Sequence, residues 1–95
     1  MATYIMLSTL TESGAQTVSK KPERIREVDA EVENLGLKIS AQYALLGPYD
    51  FLTIIEAPDN ETVAKVSAQI ASRGSVKIMT LGAIPIDSFI SCMRT

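Results

Sequence analysis

Apolar positions along the 95-residue chain change period several times. Residues 3–10, TYIMLSTL, are an unbroken run of β-branched and apolar side chains, which predicts a strand. Residues 11–19, TESGAQTVS, are small and polar, with room for a short helical turn from Glu12. From Pro22 the period becomes helical: Ile25, Val28, Val32 and Leu35 recur at spacings of three and four, with glutamates and arginines on the opposite face. Pro22 suits the first helical position, where a missing N–H costs nothing, and Gly36 is a natural stop. Residues 37–46 alternate, Ile39, Ala41, Tyr43 and Leu45 against Lys38, Ser40 and Gln42, as a half-buried strand does. Gly47-Pro48 makes a turn, and residues 50–57 read as the next strand, paired antiparallel with the one before it. Asp59 is placed to cap a helix over residues 60–73, which buries Val63, Val66 and Ile70 and ends at Gly74. Residues 75–84 form a last strand, and IDSFISCM after Pro85 predicts a short helical tail capped by Asp87.

The order β-α-β-β-α-β is the ferredoxin-like α+β motif, with an antiparallel four-stranded sheet whose first and third strands are central. Both of those strands are apolar on both faces: Tyr4 and Met6 oppose Ile5 and Leu7, and Phe51 and Ile55 oppose Leu52 and Ile54. Two helices cover only one face of such a sheet. The other leaves an apolar patch larger than a monomer tolerates. The expectation is a homodimer, or a multiple of it, whose sheets meet face to face about 10 Å apart in a dimeric α+β barrel.

Composition narrows the chemistry. Residues 1–95 make one domain. A net charge of −2 and the lack of a basic run argue against a nucleic-acid partner. The chain has no histidine, the commonest general base and metal ligand, and a single cysteine, Cys92. No metal or cofactor is expected, and the cysteine usage fits a reducing cytoplasm. The N-terminal MATYIMLSTLT lacks a basic lead and reaches Ser8 and Thr9 quickly, so neither a signal peptide nor a membrane span is expected there.

The stretch LGPYDFLTIIEAPDNETVA resembles the signature of the GYD-domain proteins: Gly-x-Tyr-Asp, an apolar strand, then Glu-Ala-Pro-Asp before a helix. KKPERIREV is similar to that family's Pro-x-Arg helix start and RGSVKIMTLGAI to its last strand, so the likeness spans about residues 4–93. The resemblance implies a ferredoxin-like fold and a dimeric α+β barrel, and no activity. A second resemblance, through GPYD and GSVKIMT, is to the effector-binding domain of the Lrp/AsnC regulators, which holds small amino acids between subunits. The chain departs from that domain in a longer 11–36 region, and no helix-turn-helix segment is expected ahead of Tyr4.

Candidate site residues are few. Tyr49 and Asp50 stand at the mouth of an apolar strand. Asp50 either fastens the turn through backbone N–H groups or faces a cavity as a ligand for an amine or hydroxyl, or as a desolvated base. Tyr49 would line a cleft beside it. Lys20, Lys21 and Arg24 cluster where the first helix is expected to start. That end of a helix holds carboxylates or phosphates, and Arg24 also matches the Pro-x-Arg motif. The alternative is a solvated surface neutralised by Glu23 and Glu27. Glu56 is either a buried acid or, by preference, an edge residue or a helix-turn partner, and Cys92 is expected as an apolar filler. The reading is a non-enzymatic small-ligand-binding or assembly module with clefts between subunits. The rival is a cofactor-free dimeric α+β barrel enzyme of monooxygenase or isomerase type.

Overall fold

The computed structural model describes residues 1–94, ordered β1 (Ala2–Leu10), α1 (Glu12–Lys20), α2 (Arg24–Asn34), β2 (Lys38–Ala44), β3 (Phe51–Ala57), α3 (Asn60–Ala71), β4 (Val76–Ala83) and α4 (Ile86–Met93). The four strands form one antiparallel sheet in the order β2-β3-β1-β4, the ferredoxin-like arrangement expected from the pattern. Among the described residues no helix is long and apolar enough to cross a membrane.

The register sorts the side chains into two faces. Tyr4 pairs with Ile55 and Met6 with Thr53, all buried. With Leu37, Ala57 and the α3 residues Val63, Val66 and Ile70 they form the core. Tyr4 also donates its hydroxyl to Asn60 Oδ1, tying β1 to the first turn of α3. On the opposite, outer face, Ile5 lies across from Ile54 and Leu7 from Leu52, with Leu81 and Met79 beside them on β4. The described side chains of α2 and α3 that pack on the sheet do so on the other face, against the core. Leu81 and Met79 keep 43% and 47% of their surface exposed.

The α3 boundaries follow the sequence signals. Asp59 has an extended backbone, and its Oδ1 accepts from Thr62 N at 2.8 Å and from Thr62 Oγ1 at 2.6 Å. Those bonds, the side-chain one foremost, hold the Asp59 carboxyl below its ordinary value. Just past the other end of α3, Arg73 grips Glu31 of α2 with both terminal guanidinium nitrogens. This holds the Glu31 carboxyl down and the guanidinium pKa up.

Several local expectations change. First, the short helical turn at Glu12 is a nine-residue helix, Glu12–Lys20. Thr11 caps it by accepting from Gly14 N at 3.2 Å; of its residues Gly14 is buried and Val18 half-buried, so no stripe of large apolar side chains announces it. Second, Lys20 and Lys21 therefore end a helix instead of opening one, where the dipole favours cations. Third, Pro22 sits in a turn two residues ahead of α2, with Ile25 N donating to Pro22 O at 3.2 Å, and Asp87 lies in the first turn of α4 behind Pro85, which holds the cap position. Fourth, Glu56 is on central β3, not an edge, where Thr3 Oγ1 donates to it at 3.0 Å.

Candidate functional site

The alternation in β2 breaks at Ser40. Ile39 pairs with Ile55, but the next pair is Ala41 with Ile54, so one residue is bulged out. A one-residue slip moves every later side chain to the other face. Ile39 stays on the helix side, whereas Ala41 and Tyr43 turn to the outer face and Tyr43 is 60% exposed. Gln42, expected to face solvent, is carried under α2 opposite the buried Thr53.

The α2 helix has an unusual inner face. Its apolar stripe runs Ile25, Val28, Val32, and Asp29 falls into the i+4 place of that stripe. None of these residues is fully buried. They roof a cavity of about 160 Å³ between α2 and the sheet, floored by Met6, Phe51, Thr53, Ile55 and Ile78 and bordered by Arg24 and Arg73. The lining is predominantly apolar, with a few polar groups that converge beneath α2.

Those polar groups form a chain across the roof and floor. Gln42 Nε2 donates to Asp29 Oδ1 at 3.0 Å and to Thr53 Oγ1 at 3.3 Å. Asp29 Oδ1 and Thr53 Oγ1 both accept from the same nitrogen, so the Gln42 amide turns its NH2 toward them. Asp29 Oδ2 is buried and accepts no hydrogen bond. Arg26 Nη1 is its nearest cation, but at 3.7 Å it is beyond hydrogen-bonding range and its side chain is 86% exposed. The two arginines at the border are engaged elsewhere, Arg24 with Glu27 at 3.0 Å and Arg73 with Glu31. Glu27 also takes Lys21 at 3.1 Å, and these two cations, Lys21 foremost, hold its carboxyl below the ordinary value.

The three residues singled out from sequence do not converge. Arg24 lines the cavity, while Tyr49 and Asp50 lie on the β2–β3 connection and do not. The Tyr49 hydroxyl meets Met79 Sδ at 3.8 Å, at the margin of the outer face. Asp50 binds β1: its N–H donates to Ser8 O at 2.8 Å, and its Oδ2 accepts from Leu10 N at 2.7 Å. The Leu10 N–H points to the side where β3 has already turned away, so the carboxylate replaces a missing strand. Asp50→Ala would leave that donor without its partner and should lower stability by about 1–3 kcal/mol in urea denaturation. Asp50→Asn, which keeps an acceptor oxygen, should lose less. Equal midpoints for wild type and Asp50→Ala would remove the role.

Among the described residues no group of three or more His, Cys, Asp or Glu side chains is placed to hold a metal ion.

Comparison with known proteins places the chain. The family model described as GYD domain matches residues 4–93. A Thermus thermophilus protein named "glutamine synthetase and cystathionine beta-lyase binding protein" is 54% identical over 95 residues, 99% of this chain and 100% of that one. Among solved structures, TTHA0845 from Thermus thermophilus superposes with a TM-score of 0.59 at 23% identity, over 90% of this chain and 95% of that one. FFRP-DM1 does so with a TM-score of 0.63 at 17% identity, over 88% and 100%. These two likenesses speak for the fold alone.

Proposed function

This chain belongs to the GYD-domain family, and from that premise we propose that it is a non-enzymatic binding and assembly protein of the cytoplasm whose partners are metabolic enzymes. The observation that carries this reading is the full-length, 54% identical Thermus relative whose name gives it two such partners, glutamine synthetase and cystathionine beta-lyase. We carry both over as candidate partners of this chain.

Two surfaces support it physically. The outer sheet face is apolar and lies opposite the face on which α2 and α3 pack, and a second copy covering it face to face would make the homodimer. The second is α4. Its residues Ile86, Phe89, Ile90 and Met93 recur at helical spacing and are between 42% and 69% exposed. Large apolar side chains concentrated on one exposed helix mark an interaction surface, and an aromatic anchor among them is the usual centre of one.

Sedimentation velocity tests the reading with purified chain and purified glutamine synthetase or cystathionine beta-lyase from the same organism. Expected is a faster boundary containing this chain with at least one enzyme at micromolar concentration. Phe89→Ser with Ile90→Ser should weaken that complex at least 10-fold and leave self-association unchanged. Independent sedimentation of both enzymes at tens of micromolar would reject the reading.

A further inference from the structure

The cavity beneath α2 has an apolar interior and a cationic mouth. The α2 stripe Ile25, Val28 and Val32 faces it, yet none of these residues is fully buried. Covering such surface with an apolar body is favourable in proportion to the area removed from water. The charges at the mouth present one sign inward. Arg24, Glu27 and Glu31 follow one another at i, i+3 and i+7 along one side of α2, and Arg73, just past α3, joins that row by gripping Glu31. Arg24 also acts on Glu31 through space and helps to hold its carboxyl down, after the larger effect of Arg73. The two arginines line the cavity, whereas Glu27 and Glu31 do not. Both arginines keep donors in hand. Arg24 meets Glu27 through Nη1, and Arg73 meets Glu31 through Nη1 and Nη2, while a guanidinium carries five N–H groups. Asp29 offers no opposite charge to a ligand: its Oδ1 holds Gln42, and its Oδ2 is buried and paired with Arg26 at 3.7 Å.

We propose that this cavity binds a small apolar carboxylate, an aromatic or short-chain aliphatic acid, with its body against the sheet and its carboxylate at the mouth on Arg24, where Arg73 adds to the positive field. A guanidinium donates only and stays charged, so the polar end that fits it must accept and be anionic, and a planar carboxylate matches its fork. The interior admits only an apolar body, between Met6, Phe51, Ile55 and Ile78 below and the α2 stripe above. The volume, about 160 Å³, is of the size that takes a benzene-sized group. The site lies within one subunit, on the helix side of the sheet. It is therefore separate from the outer face and from α4, and it stands or falls independently of the enzyme partners.

The test is an amide NMR titration of the full-length, isotopically labelled protein with phenylacetate at neutral pH and near-physiological salt, which screens loose surface attraction. Two probes of nearly the same shape are the comparison, neutral 2-phenylethanol and cationic 2-phenylethylamine. Expected is a saturable response centred on Val28, Thr53, Ile55 and Ile78, with phenylacetate at least 5-fold tighter than the alcohol and the amine weakest. Arg24→Gln should bring phenylacetate to within about 2-fold of the alcohol. Lys65→Gln, which removes an exposed cation of α3 outside the cavity lining, should leave the preference as it is. Phenylethanol or phenylethylamine binding the wild type as tightly as phenylacetate would overturn the proposal. So would a response confined to surface cations, or no saturable response up to millimolar probe. Equal losses in Arg24→Gln and Lys65→Gln, or a preference that survives Arg24→Gln, would also overturn it. The order of the three probes on the wild type decides even where Arg24→Gln fails to fold.

Discussion

Gly14→Ala should destabilise the protein by about 3 kcal/mol or more, out of proportion to one added methyl group. A Cβ at that position would stand 2.0 Å from the carbonyl oxygen of Ser75 and 2.9 Å from its carbon. Both are backbone atoms, so no rotamer change relieves the overlap. The backbone there is also pinned. Thr11 N donates to the same Ser75 oxygen at 3.0 Å, and Thr11 Oγ1 donates to Gly74 O at 2.6 Å. Relief would require α1 to lift off the start of β4, breaking the bonds that hold its cap in place. Gly82→Ala is the internal control, because nothing lies within 4 Å of a Cβ there. It should be neutral or slightly stabilising, through the smaller entropy of the unfolded chain. Urea midpoints measure both; similar midpoints for the two variants would show that the α1–β4 approach is not tight.

That approach explains why α1 is hard to see in the sequence. A helix buried through large side chains shows its period, whereas α1 turns Gly14 inward and reaches the neighbouring backbone directly. What periodicity does reveal, it reveals well. The β1, β3 and β4 runs, the α3 stripe and the Asp59 cap all lie where the pattern puts them, because each is dictated by burial or by a local hydrogen bond. The sheet order follows from the same information, since strands apolar on both faces belong at the centre.

The candidate site is harder to read for two physical reasons. Register is not a local property: the bulge at Ser40 depends on how β2 meets β3, and it alone decides that Gln42, and not Tyr43, faces the helices. Asp29 did carry a signal. Counting i, i+3, i+4, i+7 from Ile25 lands on Val28, Asp29 and Val32, so a carboxylate occupies a core-facing place. Tyr49 and Asp50 attract notice instead because they form a recognisable motif, yet the Asp50 contacts all run to backbone that the β2–β3 connection would otherwise leave unpaired. A motif can mark a constraint on the fold as readily as a ligand.

Leu52→Asp should turn the proposed homodimer into a monomer. On the outer face Leu52 lies between Leu7 of β1 and Tyr43 of β2, one pair along from Ile5 and Ile54. Its side chain stands on the side away from α2 and α3, so the substitution leaves the helix-side core of each subunit intact. In a face-to-face pair, the new carboxylate would be buried near its symmetry mate with no cation opposite. A buried, unpaired charge costs several kcal/mol. Self-association should therefore weaken at least 100-fold, which is about 2.8 kcal/mol. Ser40→Asp adds the same charge at the exposed bulge and should leave assembly unchanged. Light scattering at low micromolar concentration should give twice the 10.3 kDa chain mass, or a multiple of it, for wild type and Ser40→Asp. For Leu52→Asp it should give one chain mass, with near-ultraviolet circular dichroism retained. A wild-type protein that runs as one chain at that concentration would remove the dimer. A Leu52→Asp protein that still assembles would move the contact off the outer sheet face, leaving α4 as the surface where large apolar side chains stand exposed on one helix.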